Sequence, residues 1–149
     1  MKFCGLANKE DIEIVCYADA THASLEDGSS QGAYIVAAKG KLGLIPLSWQ
    51  SKKLQKITKS PLASEASAIW ESDDATYLVA ATLKEIYPKR VVSVVCKTDC
   101  MSLLENLNPT KVNSDKQLFV DISRLKEMIT EEEIKVPWIK GKKSNSLML

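Results

Sequence analysis

The hydrophobic period of this chain switches at Ser60-Pro61, and that switch restricts it to folds in which a run of strands feeds a long helix. Before it, residues 12–19, 32–38 and 42–50 read as strands, with Asp27-Gly28 and Lys39-Gly40-Lys41 as turn signals between them. Short connections predict an antiparallel meander. Pro46 cannot donate to a ladder, so the third strand is expected to be irregular there. After the switch, Ser60 suits a helix N-cap and Pro61 the first helical position. Leu62, Ala66, Ile69, Tyr77 and Ala80 recur at helical spacing with Trp70 beside them. Ser64, Ser67, Glu71 and Asp74 are assigned to the opposite, polar side. A helix is therefore predicted from 61 to about 86, closed by Pro88.

Residues 91–98 are apolar on both parities, which predicts a strand covered on both faces, as in a parallel position. A short helix follows over 100–107, with Leu103, Leu104 and Leu107 inward and Asn108-Pro109 as its stop. Ser114-Asp115-Lys116-Gln117 has capping-box spacing, and Leu118, Ile122, Leu125 and Ile129 mark another helix. Residues 134–139 read as a last strand, at an edge because of Pro137. The predicted class is α/β: a mixed five-stranded sheet, three antiparallel strands then two parallel, with helices on both faces. At 149 residues the chain is one domain's worth, 1–149, with 1–11 as an N-terminal extension.

Composition narrows the function classes. Hydrophobic residues are 45% and charged residues 26%, which excludes a disordered tail, a collagen-like repeat and a coiled coil. No apolar run is long enough to cross a bilayer, and the first nine residues lack a signal-peptide stretch, so an intracellular protein with no membrane partner is expected. The net charge is +1, so a nucleic acid would have to be held by a local patch. Cys4, Cys16, Cys96 and Cys100 contain no Cys-x-x-Cys pair, and His22 is the sole histidine. That argues against a zinc site, a disulfide framework and a Ser-His-Asp hydrolase. Cys16 and Cys96 lie in apolar runs and read as small, reduced hydrophobes.

Asp19 and Asp99 each close a strongly apolar strand. If those strands are neighbours, both carboxylates emerge at the carboxyl edge of the sheet, where α/β folds place ligands. Glu65, in the first turns of the long helix, can face the same edge. Three such carboxylates repel one another, and their pKa values rise and couple. Their hard oxygens suit Mg²⁺ or Mn²⁺, and two ions about 3.5–4 Å apart can activate water and stabilise a phosphodiester's leaving oxygen. Residues 39–59 hold Lys39, Lys41, Lys52, Lys53, Lys56 and Lys59 and no acid, and a second acid-free stretch runs from 134 to the end. Ser51, Lys52, Lys53, Lys56 and Lys59 are the candidate nucleic-acid contacts.

Each of these features has an ordinary reading. Asp99 alone would be a helix cap, Glu65 a solvated helix face, and the lysines a solubilising surface. Ser51 and Gln31 could equally be polar strand ends. Trp49, Trp70 and Trp138 read as core or semi-buried anchors, and His22 is given no role.

Taken in order, the motifs resemble a known family. Tyr17-Ala18-Asp19-Ala20-Thr21-His22-Ala23 with Gln31-Gly32-Ala33-Tyr34 looks like the opening of a retroelement ribonuclease H domain. Leu47-Ser48-Trp49-Gln50-Ser51-Lys52-Lys53 with Ser60-Pro61-Leu62-Ala63-Ser64-Glu65-Ala66 is similar to the copia-type retrotransposon branch. Lys97-Thr98-Asp99-Cys100-Met101-Ser102-Leu103 resembles the third catalytic strand end, and residues 115–128 and 136–142 resemble the helix and strand that follow. The resemblance implies an RNase H-like fold and endonucleolytic cleavage of the RNA strand of RNA–DNA hybrids with two Mg²⁺ or Mn²⁺ ions. It makes Asp19, Glu65 and Asp99 the catalytic and metal-binding acids, with Asp19 bridging both metals. It also implies little sequence specificity, a reverse transcriptase polymerase domain in a parent Pol polyprotein, and residence in the cytoplasm or in virus-like particles.

The fourth acid does not carry over. The family ends in a motif like Ala-Asp-Ser-Leu-Thr-Lys, whereas this chain reads Ser144-Asn145-Ser146-Leu147-Met148-Leu149. Asn145 is the fourth metal ligand by position, and its carbonyl can ligate a hard cation without supplying charge. Residues 144–149 are expected to be the truncated start of a final helix. Two readings stay open: a working nuclease weakened at Asn145, or an inactive remnant that binds nucleic acid or another partner. An integrase-type phosphotransferase fits the meander and the 48–53 segment less well.

Overall fold

The computed structural model describes residues 11–40, 43–108 and 116–131. Its elements are β1 (Ile12–Thr21), β2 (Gln31–Gly40), β3 (Gly43–Lys53), α1 (Pro61–Ile86), β4 (Val92–Lys97), α2 (Met101–Leu107) and α3 (Lys116–Glu131). Among the described residues the sheet has four strands in the order β3-β2-β1-β4. β2 pairs antiparallel with both β1 and β3, and β4 pairs parallel with β1. This is the predicted meander and crossover. The predicted fifth strand, the final helix at 144–149 and nearly all of the 1–11 extension lie outside the described residues.

Alternation along β1 sends Ile12, Ile14, Cys16 and Ala18 into a core shared with Ile69 of α1, Leu103 of α2, and Ile122, Leu125 and Met128 of α3. Burying each of the large aliphatic residues contributes about 1.5–3 kcal/mol. α1 lies on the sheet, and α2 and α3 pack against α1 and each other, so the described helices stack on one side of the sheet. Helices are expected on both faces, and among the described residues they stand on one. Gly32 allows the close fit of β2, since a Cβ there would stand 2.5 Å from Leu54 Cδ2 and 3.5 Å from Ala68 Cβ. Cys16 and Cys96 are register partners on β1 and β4 and are both buried thiols, and Cys16 Sγ lies 3.3 Å from the Ser72 hydroxyl.

Several local signals act as predicted. Ser60 is extended and its hydroxyl accepts from the Ala63 amide at 3.1 Å, so α1 starts at Pro61. The β2–β3 register shifts between Val36 and Ala37, whose partners are Ser48 and Pro46, leaving Leu47 as the extra residue of a bulge.

The faces of α1 need correction. Ser64 and Ser67, placed on the polar side, are buried, as are Ser72 and Thr76. Ser72 and Thr76 donate to the Ile69 and Ser72 carbonyls at 2.7 and 2.8 Å, which lets small polar side chains sit in an apolar interface. Tyr77, placed on the apolar stripe, is 64% exposed. Eight residues beyond Ile69, it is rotated about 80° off that stripe, whereas Thr76 continues it. Trp49 is 68% exposed and is no anchor; it stands on β3, the edge strand among the described residues. In α3 Met128 is buried with Ile122 and Leu125, whereas Ile129 is half-buried.

Candidate metal centre

Parallel pairing of β1 and β4 builds the site. Cys16 pairs with Cys96 and Tyr17 with Lys97, so the register carried two residues further sets Asp19 level with Asp99. β1 runs on to Thr21, two residues past Asp19, and Asp99 follows the end of β4. The Thr98 hydroxyl, buried, accepts from the Cys100 amide at 3.1 Å and turns the chain into α2. Glu65 is the fifth residue of α1 and enters from the helix side. One carboxylate oxygen from each of Asp19, Glu65 and Asp99 lies within 4.8 Å of the others. Asp19 and Asp99 are exposed and Glu65 is half-buried.

This geometry concentrates like charge. Burial, reinforced by the charges of Asp19 and Asp99, pushes the Glu65 carboxyl up to about 8, against a smaller opposing pull from the Ala20 amide. Burial, with Glu65 and Asp99 nearby, also pushes the Cys100 thiol up. Glu65 Oε2 is buried without a hydrogen-bond partner. An orphaned buried oxygen beside two further carboxylates fits a hard divalent cation such as Mg²⁺ or Mn²⁺, which takes oxygen ligands and supplies the missing charge.

The candidate nucleic-acid residues form a different kind of surface. Lys52 meets Glu71 of α1 at 3.3 Å, Lys56 meets Asp121 of α3 at 3.1 Å, and Lys53 pairs with Asp27. Lys53, with the Ser29 hydroxyl and amide, holds the Asp27 carboxyl well below the usual range. Lys59 is exposed, and no described carboxylate pairs with it. Ser51 accepts a hydrogen bond from Gln31 across the strands at 2.7 Å. Asn145 lies outside the described residues.

Sequence reasoning missed a polar cluster beside the carboxylates. His22, to which no role was given, brings its Nδ1 to 3.1 Å from the Ser64 hydroxyl, with Ser30 and Thr58 around them. The available signal was the density of hydroxyl residues flanking Glu65 and following Asp19, which sequence spacing alone could not bring together.

No family model matches the chain, and neither does any curated protein sequence. Solved structures do. LC11-RNase H1, isolated from compost by a metagenomic approach, matches with a TM-score of 0.61 at 12% identity, over 85% of this chain and 84% of its own. The same protein in complex with an RNA/DNA hybrid matches at 0.55. RNase H1 of the halophilic archaeon Halobacterium salinarum matches at 0.61 and 13% identity, over 85% of each chain. The prototype foamy virus protease–reverse transcriptase matches at 0.57 and 11% identity, over 93% of this chain and 18% of its own. With its mixed sheet, crossover helix and carboxyl-edge site, this chain has an RNase H-like fold.

Proposed function

We propose that the chain is a divalent-metal-dependent endoribonuclease that cleaves the RNA strand of RNA–DNA hybrids. The observation that carries the reading is the juxtaposition of Asp19, Glu65 and Asp99 at one sheet edge, with a buried Glu65 oxygen left unpartnered. It is supported by the fold that the chain shares with LC11-RNase H1, a protein captured with an RNA/DNA hybrid. Asp19, Glu65 and Asp99 would hold the metal, with Asn145 as a fourth, uncharged ligand. Two bound cations supply charge for the leaving oxygen and lower the pKa of an attacking water. The protein's own part would be to aim three carboxylate oxygens at one point, where burial and the neighbouring charges raise the Glu65 carboxyl and the charge of a cation would offset that cost. Lys59, and Lys52, Lys53 and Lys56 after release from their surface carboxylates, would meet hybrid phosphates, with Ser51 beside them. Contacts of that kind read backbone geometry and 2′-hydroxyls, so little sequence specificity follows.

Within this proposal the source is a copia-type retrotransposon Pol polyprotein, with a reverse transcriptase polymerase domain as partner and the cytoplasm or a virus-like particle as compartment. Those finer assignments rest on the sequence motifs around Asp19, Trp49 and Asp99. No helix among the described residues is long and apolar enough to cross a membrane.

Asn145 favours a second reading, an inactive remnant that retains nucleic-acid binding. Cleavage of a labelled hybrid in Mg²⁺ and in Mn²⁺, with Asp19→Asn as the blank, decides between them. The nuclease reading predicts 5′-phosphate products above the blank, increased by Asn145→Asp. Absence of products in both metals from a folded chain that still binds hybrid selects the remnant.

A further inference from the structure

His22 Nδ1 and the hydroxyls of Ser30, Thr58 and Ser64 form a cluster, from which the Ser64 hydroxyl also reaches the Ser60 carbonyl at 3.2 Å. All six distances within the cluster fall from 2.6 Å (Thr58–Ser64) to 3.4 Å (His22–Ser30 and His22–Thr58). Ser30 and Ser64 are each 1% exposed. Three segments meet there: the β1–β2 connection through His22 and Ser30, the β3–α1 connection through Thr58, and α1 through Ser64. Ser30 also reaches outward, accepting from the Ala23 amide at 3.0 Å on its hydroxyl and from the Leu54 amide at 2.9 Å on its carbonyl. Ala23 holds φ 47, the left-handed region that a residue with a Cβ rarely adopts, so the Ser30 bond restrains a costly backbone.

Stability alone does not account for this cluster. Buried polar groups gain little over apolar packing, but a fully satisfied network fixes one arrangement. The arrangement it fixes is telling. His22 lies three residues after Asp19, and Ser64 is the residue before Glu65. The cluster therefore ties together the two segments that present these carboxylates.

We propose that His22, Ser30, Thr58 and Ser64 are a positioning network that sets the Asp19–Glu65 separation needed to bind a divalent cation. This rests on the metal-binding reading above. Partners that orient metal ligands typically change affinity by about 10–100-fold when removed. Thr58 is the residue to test, because Thr58→Val deletes the hydroxyl at nearly constant shape and Thr58→Ser keeps it. Mn²⁺ is titrated into the full chain by isothermal calorimetry. The network predicts an affinity loss of about 10–100-fold in Thr58→Val, recovery in Thr58→Ser, and no binding in Asp19→Asn. Ser30→Ala carries the same expected loss should Thr58→Val fail to fold. Parental affinity in Thr58→Val, or a loss that Thr58→Ser does not restore, overturns the network and leaves the metal site standing. Mn²⁺ binding that survives Asp19→Asn overturns the metal site, and the network with it.

Discussion

The lysines of the β3–α1 region and the carboxylates of Asp19, Glu65 and Asp99 are both concentrations of charge, and folding treats them in opposite ways. Lys52, Lys53 and Lys56 come from a stretch without acids, yet each is met by a carboxylate from another segment. The three acids come from three separate segments and are brought together, and no described lysine or arginine pairs with them. Pairing lowers the Asp27 carboxyl, whereas burial, reinforced by crowding, raises that of Glu65 to about 8. Charge that folding neutralises behaves as ordinary surface. Charge that folding concentrates suits a cationic partner, which is the reading proposed above.

The largest effect that would sharpen this contrast is on catalysis. Asp19→Asn should lower hybrid cleavage on the order of a thousandfold or more, since metal charge stabilisation is worth several kcal/mol. A rate close to the parent would remove Asp19 from the site.

The pH dependence of the metal-free protein comes next. Glu65 has an ordinary value of 4.5 and a folded value of about 8, so between these the native state holds a proton that the unfolded chain releases. Through this group, stability is fully present below about 4.5 and is lost as pH rises toward 8. Glu65→Gln keeps the neutral form. It should match the parent in thermal melts at pH 4 and exceed it at pH 8; equal melting temperatures at both would show that Glu65 is not strained. Asp99→Asn, which relieves one repulsion, should stabilise the metal-free chain at pH 8 by about 1 kcal/mol, read from urea midpoints.

The lysine surface is expected to respond weakly. Lys59→Ala should reduce the log–log salt slope of hybrid binding by about one, the signature of one lost phosphate contact. Lys52→Ala should reduce it less, because Glu71 already neutralises that charge. Equal reductions would show that the Lys52 pair opens freely. A double-mutant cycle on Lys52 and Glu71 should give a coupling of about 0.2–1 kcal/mol, and a larger value would make the pair structural.

The elements were legible where one residue type has one local job. Ser60 caps, Pro61 opens the helix, and Pro46 forces the bulge against β2. The acids were legible because strand ends and a helix start are read from local pattern, and topology then aligns Asp19 with Asp99. The faces of α1 were not. A serine that bonds a carbonyl of its own helix is as compatible with burial as alanine, so Ser72 and Thr76 hide in the apolar stripe. The His22–Ser30–Thr58–Ser64 cluster was invisible for another reason. Its members are 6 to 42 residues apart along the chain, and nothing in their spacing foretells a shared point. Trp49 shows the converse: a large apolar residue stays in solvent on β3, which no described strand covers on its outer side.

The most direct test of concentrated charge as a cation site is the melting temperature at pH 8 with and without Mn²⁺, for the parent and Asp19→Asn. At a hundred times Kd, binding contributes about 2.7 kcal/mol. For a chain of 149 residues that raises Tm by roughly 5–10 °C. The account predicts this rise in the parent and none in Asp19→Asn. A Tm indifferent to Mn²⁺, or an equal rise in both proteins, would contradict it.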